Sequence, residues 1–90
     1  KIDPNFSMIY NNLALLFTHD KIDIIKAENF YKKSISLNYK NPEAHNNLGT
    51  LYKSLDKFKE AILCFEEAIS IDPKFFHAYH NLGNIYNFSL

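Results

Sequence analysis

A pattern that restarts after 34 residues constrains this chain more than any other feature of it. His45, Leu48, Gly49 and Tyr52 stand at i, i+3, i+4 and i+7, followed by Ala61, Phe65, Ala68 and Asp72-Pro73. Tyr79, Leu82, Gly83 and Tyr86 repeat the first four at an offset of 34. Upstream, Tyr10, Leu13, Ala14 and Phe17 match at an offset of 35, while Ala27, Tyr31 and Ser34 return to 34. One extra residue is therefore expected in the turn around His19 to Asp23, where added backbone stays solvated. Periods of this length belong to stacked repeats, each of which buries its apolar face only against its neighbours.

The i, i+3, i+4, i+7 spacing is that of one helix face. It predicts helices over about Ser7 to Thr18, Ile24 to Leu37, Pro42 to Ser54, Phe58 to Ile71 and Phe75 to Ser89. Asn41 reads as an N-cap, Pro42 as a first helical residue and Glu43 as a partner for the positive helix end. Asp72-Pro73 stops a helix, because proline pushes the residue before it out of the α region. Ile2-Asp3-Pro4-Asn5-Phe6 matches Ile71-Asp72-Pro73-Lys74-Phe75, so the chain is expected to open in the tail of a preceding repeat. The units are then 1–6, 7–41, 42–75 and 76–90, the last with a single helix. Ala14, Gly49 and Gly83 face Ala27 and Ala61, with Ser34 and Ala68 farther along, and small residues let paired helices approach. Glycine costs a helix roughly 1 kcal/mol relative to alanine, so Gly49 and Gly83 each require a packing reason. The expected fold is all-α, a right-handed α-solenoid of antiparallel helix pairs.

Composition excludes several classes. Ten lysines balance ten acidic residues, no arginine occurs, and the net charge is zero. That is not the footprint of a nucleic-acid binder, and no basic run suggests a membrane surface. No apolar run approaches the ~20 residues of a membrane span. A lone Cys64 builds no disulfide framework, which fits an intracellular protein, cytoplasmic or nuclear; flanked by Leu63 and Phe65, it reads as a buried thiol. His77 and His80 share a face, but His45 sits in an apolar slot, so the three or four converging ligands of a metal site are not expected. Neither a catalytic set nor a cofactor site is apparent.

With His in a slot usually held by a larger aromatic, this spacing resembles the tetratricopeptide repeat, a 34-residue helix–turn–helix unit. Asp56 stands near the turn where many such repeats carry glycine. The blocks Ala44-His45-Asn46-Asn47-Leu48-Gly49 and Ala78-Tyr79-His80-Asn81-Leu82-Gly83-Asn84 are similar to the superhelical arm of the O-linked N-acetylglucosamine transferases. The resemblance implies a concave surface lined by the first helix of each repeat. On this sequence that surface is Met8, Asn11, Asn12, Leu15 and Thr18, then Glu43, Asn46, Asn47, Thr50 and Lys53, then His77, His80, Asn81, Asn84 and Asn87. Chaperone-binding members of the family grip a carboxylate with lysine and arginine. The corresponding positions here are Asn11, Leu15, Asn47, His77 and Asn81, so acidic chaperone tails are not expected to bind.

Asn12, Asn47 and Asn81 occupy equivalent slots, each just before the leucine of its unit. An amide both donates and accepts, so it pairs with a peptide backbone whatever the sequence. Helices ~8–10 Å apart and an extended chain advancing ~3.3 Å per residue bring one asparagine to about every third ligand residue. The competing reading has these amides satisfying local backbone groups. The expected function is a protein-interaction module that holds an extended peptide or unstructured segment. Two alternatives remain: the substrate-recruiting arm of a glycosyltransferase, and a scaffold that stacks on itself or on other subunits. Tyr79, Leu82, Gly83 and Tyr86 lack a covering helix, so a homodimer through the last helix is also expected.

Overall fold

The computed structural model describes residues 4–20 and 23–89, and the side chains of residues 6–18 and 23–87. Five helices make up the fold, α1 (Pro4–Asp20), α2 (Ile24–Leu37), α3 (Pro42–Ser54), α4 (Phe58–Ile71) and α5 (Phe76–Ser89), with no strand among the described residues. Four of the expected helices lie where the periodicity puts them, give or take a residue. The first is longer at both ends, starting at Pro4 instead of near Ser7 and running to Asp20 instead of Thr18. Proline lacks the N–H that a first helical turn leaves unpaired, so Pro4 opens a helix without loss. The matching segment behaves differently because Asp72 holds it in a turn. There the Lys74 N–H donates to Asp72 Oδ1 (3.0 Å) and the Phe75 N–H to the Asp72 carbonyl (3.0 Å). The assignment of residues 1–3 to a preceding repeat, and the middle of the inserted turn at 21–22, lie outside the described residues.

Local chemistry sets the ends of the inner helices. Asn41 accepts from the Glu43 N–H (3.1 Å) and Asp23 from the Lys26 N–H (2.9 Å), each supplying an acceptor to a helix start that has none of its own. α3 ends with Asp56 at φ +61°, in the left-handed region. The Lys57 N–H donates to the Tyr52 carbonyl and the Asp56 N–H to the Lys53 carbonyl. These two bonds satisfy carbonyls that the helix end leaves free.

α1 pairs with α2 and α3 with α4, while α2 packs on α3 and α4 on α5. α1 also touches α3, and α3 touches α5, so the first helices of successive units lie side by side. The Cα atoms extend 44 × 32 × 16 Å. The result is an all-α solenoid segment in the form of a slab. Tyr31 and Phe65, equivalent positions of α2 and α4, are buried together with Ala14, Ala27, Leu48, Leu51, Ala61 and Ala68. Gly49 has the packing reason its place in a helix demands, since a Cβ there would stand 2.7 Å from Cε1 of Phe65. Gly83 does not: a Cβ there would meet nothing within 4 Å. Ser34 is more than a small residue. It and Ser7 are fully buried and exchange hydrogen bonds, Ser7 Oγ donating to the Ser34 carbonyl (2.8 Å) and Ser34 Oγ to the Ser7 carbonyl (2.7 Å). No helix of the described residues is long and apolar enough to cross a membrane.

Candidate functional site

Two cavities lie along the face of the first helices, one repeat apart. The first, about 400 Å³, is lined by Met8, Asn11 and Asn12 of α1, Asn38, Lys40 and Asn41 of the connection, and Pro42 and Glu43 of α3. The second, about 420 Å³, is lined by Glu43, Asn46 and Asn47 of α3 and by Phe75 and His77 of the next unit. Met8, Asn11 and Asn12 of the first correspond to Glu43, Asn46 and Asn47 of the second, and Glu43 of the first corresponds to His77. Each cavity is therefore the gap between one first helix and the start of the next. Glu43 borders both.

The amides in these walls are not all free. Asn47 Nδ2 donates to Asn11 Oδ1 (3.2 Å), and Asn81 Nδ2 donates to Asn46 Oδ1 (3.0 Å). Lys53 Nζ donates in turn to Asn81 Oδ1 (3.4 Å). Asn11 and Asn46 are correspondingly buried, while Asn12 is exposed. Neither reading of the ladder anticipated this: the amides bond each other across the repeat boundary, not the backbone of their own helix. The doublets Asn11-Asn12 and Asn46-Asn47, recurring in register, are the signal: the first member of each accepts from the following unit, and Asn47 donates to the preceding one. Repetition put the pairs in the sequence, but only the inter-helix distance makes them bond.

Of the other expected groove residues, Met8, Leu15, Glu43, Thr50, His77, His80 and Asn87 are exposed, and Asn84 is half-buried. Thr18 and Thr50 turn their hydroxyls back on the Ala14 and Asn46 carbonyls of their own helices, at 2.9 and 3.0 Å. The two cavities bring together Asn11, Asn12, Asn46, Asn47 and His77. Leu15, Thr50, Lys53, His80, Asn81 and Asn84 line neither. Thr18 and Lys53 border two further cavities at the opposite ends of α1 and α3, about 300 and 460 Å³, beside Ile24, Leu55 and Phe58. Asn38, Lys40, Asn41 and Phe75 carry no site signal in the sequence, where Asn41 reads as a cap and Phe75 as a helix start. They are walls because each connection lies against the start of the next first helix.

Titratable groups away from this face serve the stack. Tyr52 of α3 donates to Glu28 Oε2 of α2 (2.7 Å), and Lys32 pairs with the same oxygen (3.0 Å). The Tyr52 hydroxyl, with Lys32 beside it, holds the Glu28 carboxyl below its usual pKa against the effect of burial. Burial, then the Glu28 carboxylate, pushes the Tyr52 hydroxyl well above the ordinary tyrosine value. Cys64 is half-buried, not fully buried, and burial raises its thiol to about 11, where the nucleophilic thiolate is scarce. His45 is buried and donates Nε2–H to the Tyr39 carbonyl (2.8 Å), which occupies it structurally. Among the described residues no three His, Cys, Asp or Glu side chains group as a metal site requires.

Two models described as the tetratricopeptide repeat match residues 42–75 and 64–89, together more than half of the chain. A protein of Haemophilus influenzae described as uncharacterized is 31% identical over 83 residues, 92% of this chain and 45% of that protein. Protein O-mannosyl-transferase Tmtc3 of Drosophila melanogaster is 29% identical over 73 residues, 80% of this chain and 8% of that protein. The chain thus spans less than half the length of either relative. Among solved structures, the crystal structure of MamA superposes with a TM-score of 0.87 at 28% identity, over 97% of this chain and 50% of that one. The first TPR of Spaghetti (RPAP3), bound to the HSP90 peptide SRMEEVD, superposes at 0.82 over 87% of this chain and 61% of that one. Its 19% identity makes that a likeness of fold.

Proposed function

We propose that this chain, which belongs to the tetratricopeptide-repeat family, is a protein-interaction module that holds an extended peptide or unstructured segment along the face of its first helices. The observation that carries the reading is the pair of register-equivalent cavities, one per repeat, walled by Asn11 and Asn12 and then by Asn46 and Asn47. A periodic wall suits a ligand that is itself periodic, and an extended backbone is one. The remaining groove residues, Leu15, Thr50, Lys53, His80, Asn81 and Asn84, would extend the contact or brace it. Another protein of this fold, the first TPR of Spaghetti, holds a peptide. A half-buried lone thiol at Cys64 suits an intracellular setting.

Linear peptides selected from a random display library against the immobilised chain test the proposal, with affinities read by fluorescence anisotropy. The expected affinity is weak. A few amide contacts at about 1 kcal/mol each fall short of the ~8 kcal/mol of a micromolar complex. Asn12→Ala with His77→Ala, both exposed and outside the amide pairs, should weaken a selected peptide roughly threefold or more. The peptide SRMEEVD should not bind, since neither lysine nor arginine stands at Asn11, Leu15, Asn47, His77 or Asn81. Selected peptides indifferent to the double substitution sink the reading, whereas micromolar binding of SRMEEVD would overturn only the exclusion of acidic chaperone tails. A second reading, an arm that recruits substrates for a glycosyltransferase, is favoured by the likeness to the O-mannosyl-transferase Tmtc3. Glycosyl transfer by the intact protein that falls when these groove residues are replaced would establish it.

A further inference from the structure

The two cavities share a shape and differ in chemistry, and the difference points to what the second one holds. We infer that the cavity between α3 and α5 is a subsite for a basic side chain, lysine or arginine, of the bound segment. This rests on the groove reading above and names the chemistry of one of its ligand residues. Glu43 supplies a carboxylate that takes part in no ion pair among the described residues. It borders both cavities, but in the first it shares the wall with Lys40 and in the second it also fills the register slot of Met8, and its full charge exceeds the roughly half-charge of its own helix N-terminus. Phe75 stands where the first cavity has Asn41, so an aromatic residue of the next unit lines the same cavity as the carboxylate of α3. Cations are attracted to the face of such a ring. Asn47 has already committed its amide N–H group to Asn11 (3.2 Å), which leaves its carbonyl oxygen to accept from a ligand. No lysine lines this cavity, whereas Lys40 lines the first. Lys53, the groove lysine of the same helix, is ten residues and about 15 Å away and is held by Asn81 (3.4 Å). A carboxylate, a carbonyl oxygen and an aromatic ring around about 420 Å³ suit an ammonium or guanidinium on an aliphatic stem.

The test uses single-residue probes on the whole chain, followed by amide chemical shifts in ¹H–¹⁵N spectra. N-acetyl-lysine N-methylamide should shift the amides of Glu43, Asn47, Phe75 and His77 saturably. The norleucine and glutamate analogues, which keep the stem or reverse the charge, should not. Glu43→Gln should weaken the lysine probe roughly three- to tenfold, while Glu66→Gln, exposed on α4 and outside the cavity, should leave it unchanged. Circular dichroism of E43Q at the wild-type value keeps misfolding out of the comparison. Shifts as large with norleucine or glutamate, or equal losses in the two variants, overturn the subsite. The probe has no extended backbone, so the two proposals fail separately. Lysine probes that bind when no linear peptide does would discard the groove alone, and peptides that bind when the lysine probe does not would discard the subsite alone.

Discussion

Gly49 and Gly83 are equivalent in sequence and opposite in consequence. An alanine methyl at 49 would press on a Phe65 ring that is fully buried and has nowhere to go. Overpacking of that kind costs about 1–3 kcal/mol, more than the roughly 1 kcal/mol that alanine returns to a helix. At 83 the methyl meets open space, and only the helix term remains. Gly49→Ala should therefore lower stability, and Gly83→Ala should raise it by about 0.5–1 kcal/mol, both measured by urea unfolding. Two changes of the same sign would show that the Phe65 contact does not decide. The amide pairs carry a similar lesson. Asn81→Ala removes a bond worth about 0.5–1.5 kcal/mol, strips Asn46, which is buried, of its partner, and takes away the acceptor of the longer bond from Lys53 (3.4 Å). It should destabilise the chain more than Asn12→Ala, whose side chain is exposed. A binding loss on replacing Asn47 or Asn81 alone thus mixes ligand contact with stacking. Equal unfolding midpoints for N81A and N12A would remove the ladder from the stability argument.

Helices and their pairings were legible in the sequence because their causes are local. Asn41-Pro42 and Asp72-Pro73 act on their own backbone, and Ala27, Tyr31, Ala61 and Phe65 show their face by spacing alone. The start of α1 departs from the repeat pattern, because Pro4 opens a helix where Asp72-Pro73 follows the end of one. The joint between units was hidden for a different reason: Tyr52 and Glu28 are 24 residues apart, and only stacking brings α3 onto α2. That joint gives a pH signature. Glu28 titrates lower in the folded chain than in the unfolded one, so its stabilisation is full above the unfolded value and fades as pH falls through the folded one. Tyr52 titrates higher when folded, so its part is full below the ordinary tyrosine value near 10 and fades as pH rises beyond it. The stability of the wild type should therefore fall at both extremes of pH, and Tyr52→Phe should flatten both limbs. A Y52F profile parallel to that of the wild type would move the pH dependence elsewhere.

Both ends of the slab present faces that its middle covers. Ala44 and Leu51 of α3 are buried, whereas Ile9 and Leu16, their equivalents on α1, are about half exposed (49% and 58%). At the other end Tyr79 and Tyr86 of α5 are 48% and 49% exposed, beside the open Gly83, whereas Tyr52, in the place of Tyr86, is buried. Burying a large side chain is worth about 1.5–3 kcal/mol, so covering the exposed half of each tyrosine would return about 1 kcal/mol apiece. Among the described residues nothing else covers them, and a second copy offers the same stripe. Two α5 helices related by a two-fold axis would cover each other and close, whereas α5 against α1 of another copy would not close and would grow into filaments. The closed pair is the expected state at high concentration, seen as a dimer by sedimentation. Tyr86→Glu should abolish it and Leu16→Glu should leave it intact. A chain lengthened by one helix carrying the Ala61, Phe65 and Ala68 pattern should unfold at higher temperature and remain monomeric. Loss of association in Leu16→Glu would mean that the copies meet head to tail. A wild-type chain that stays monomeric, together with a lengthened chain that is no more stable, would mean that α5 caps the stack as it is.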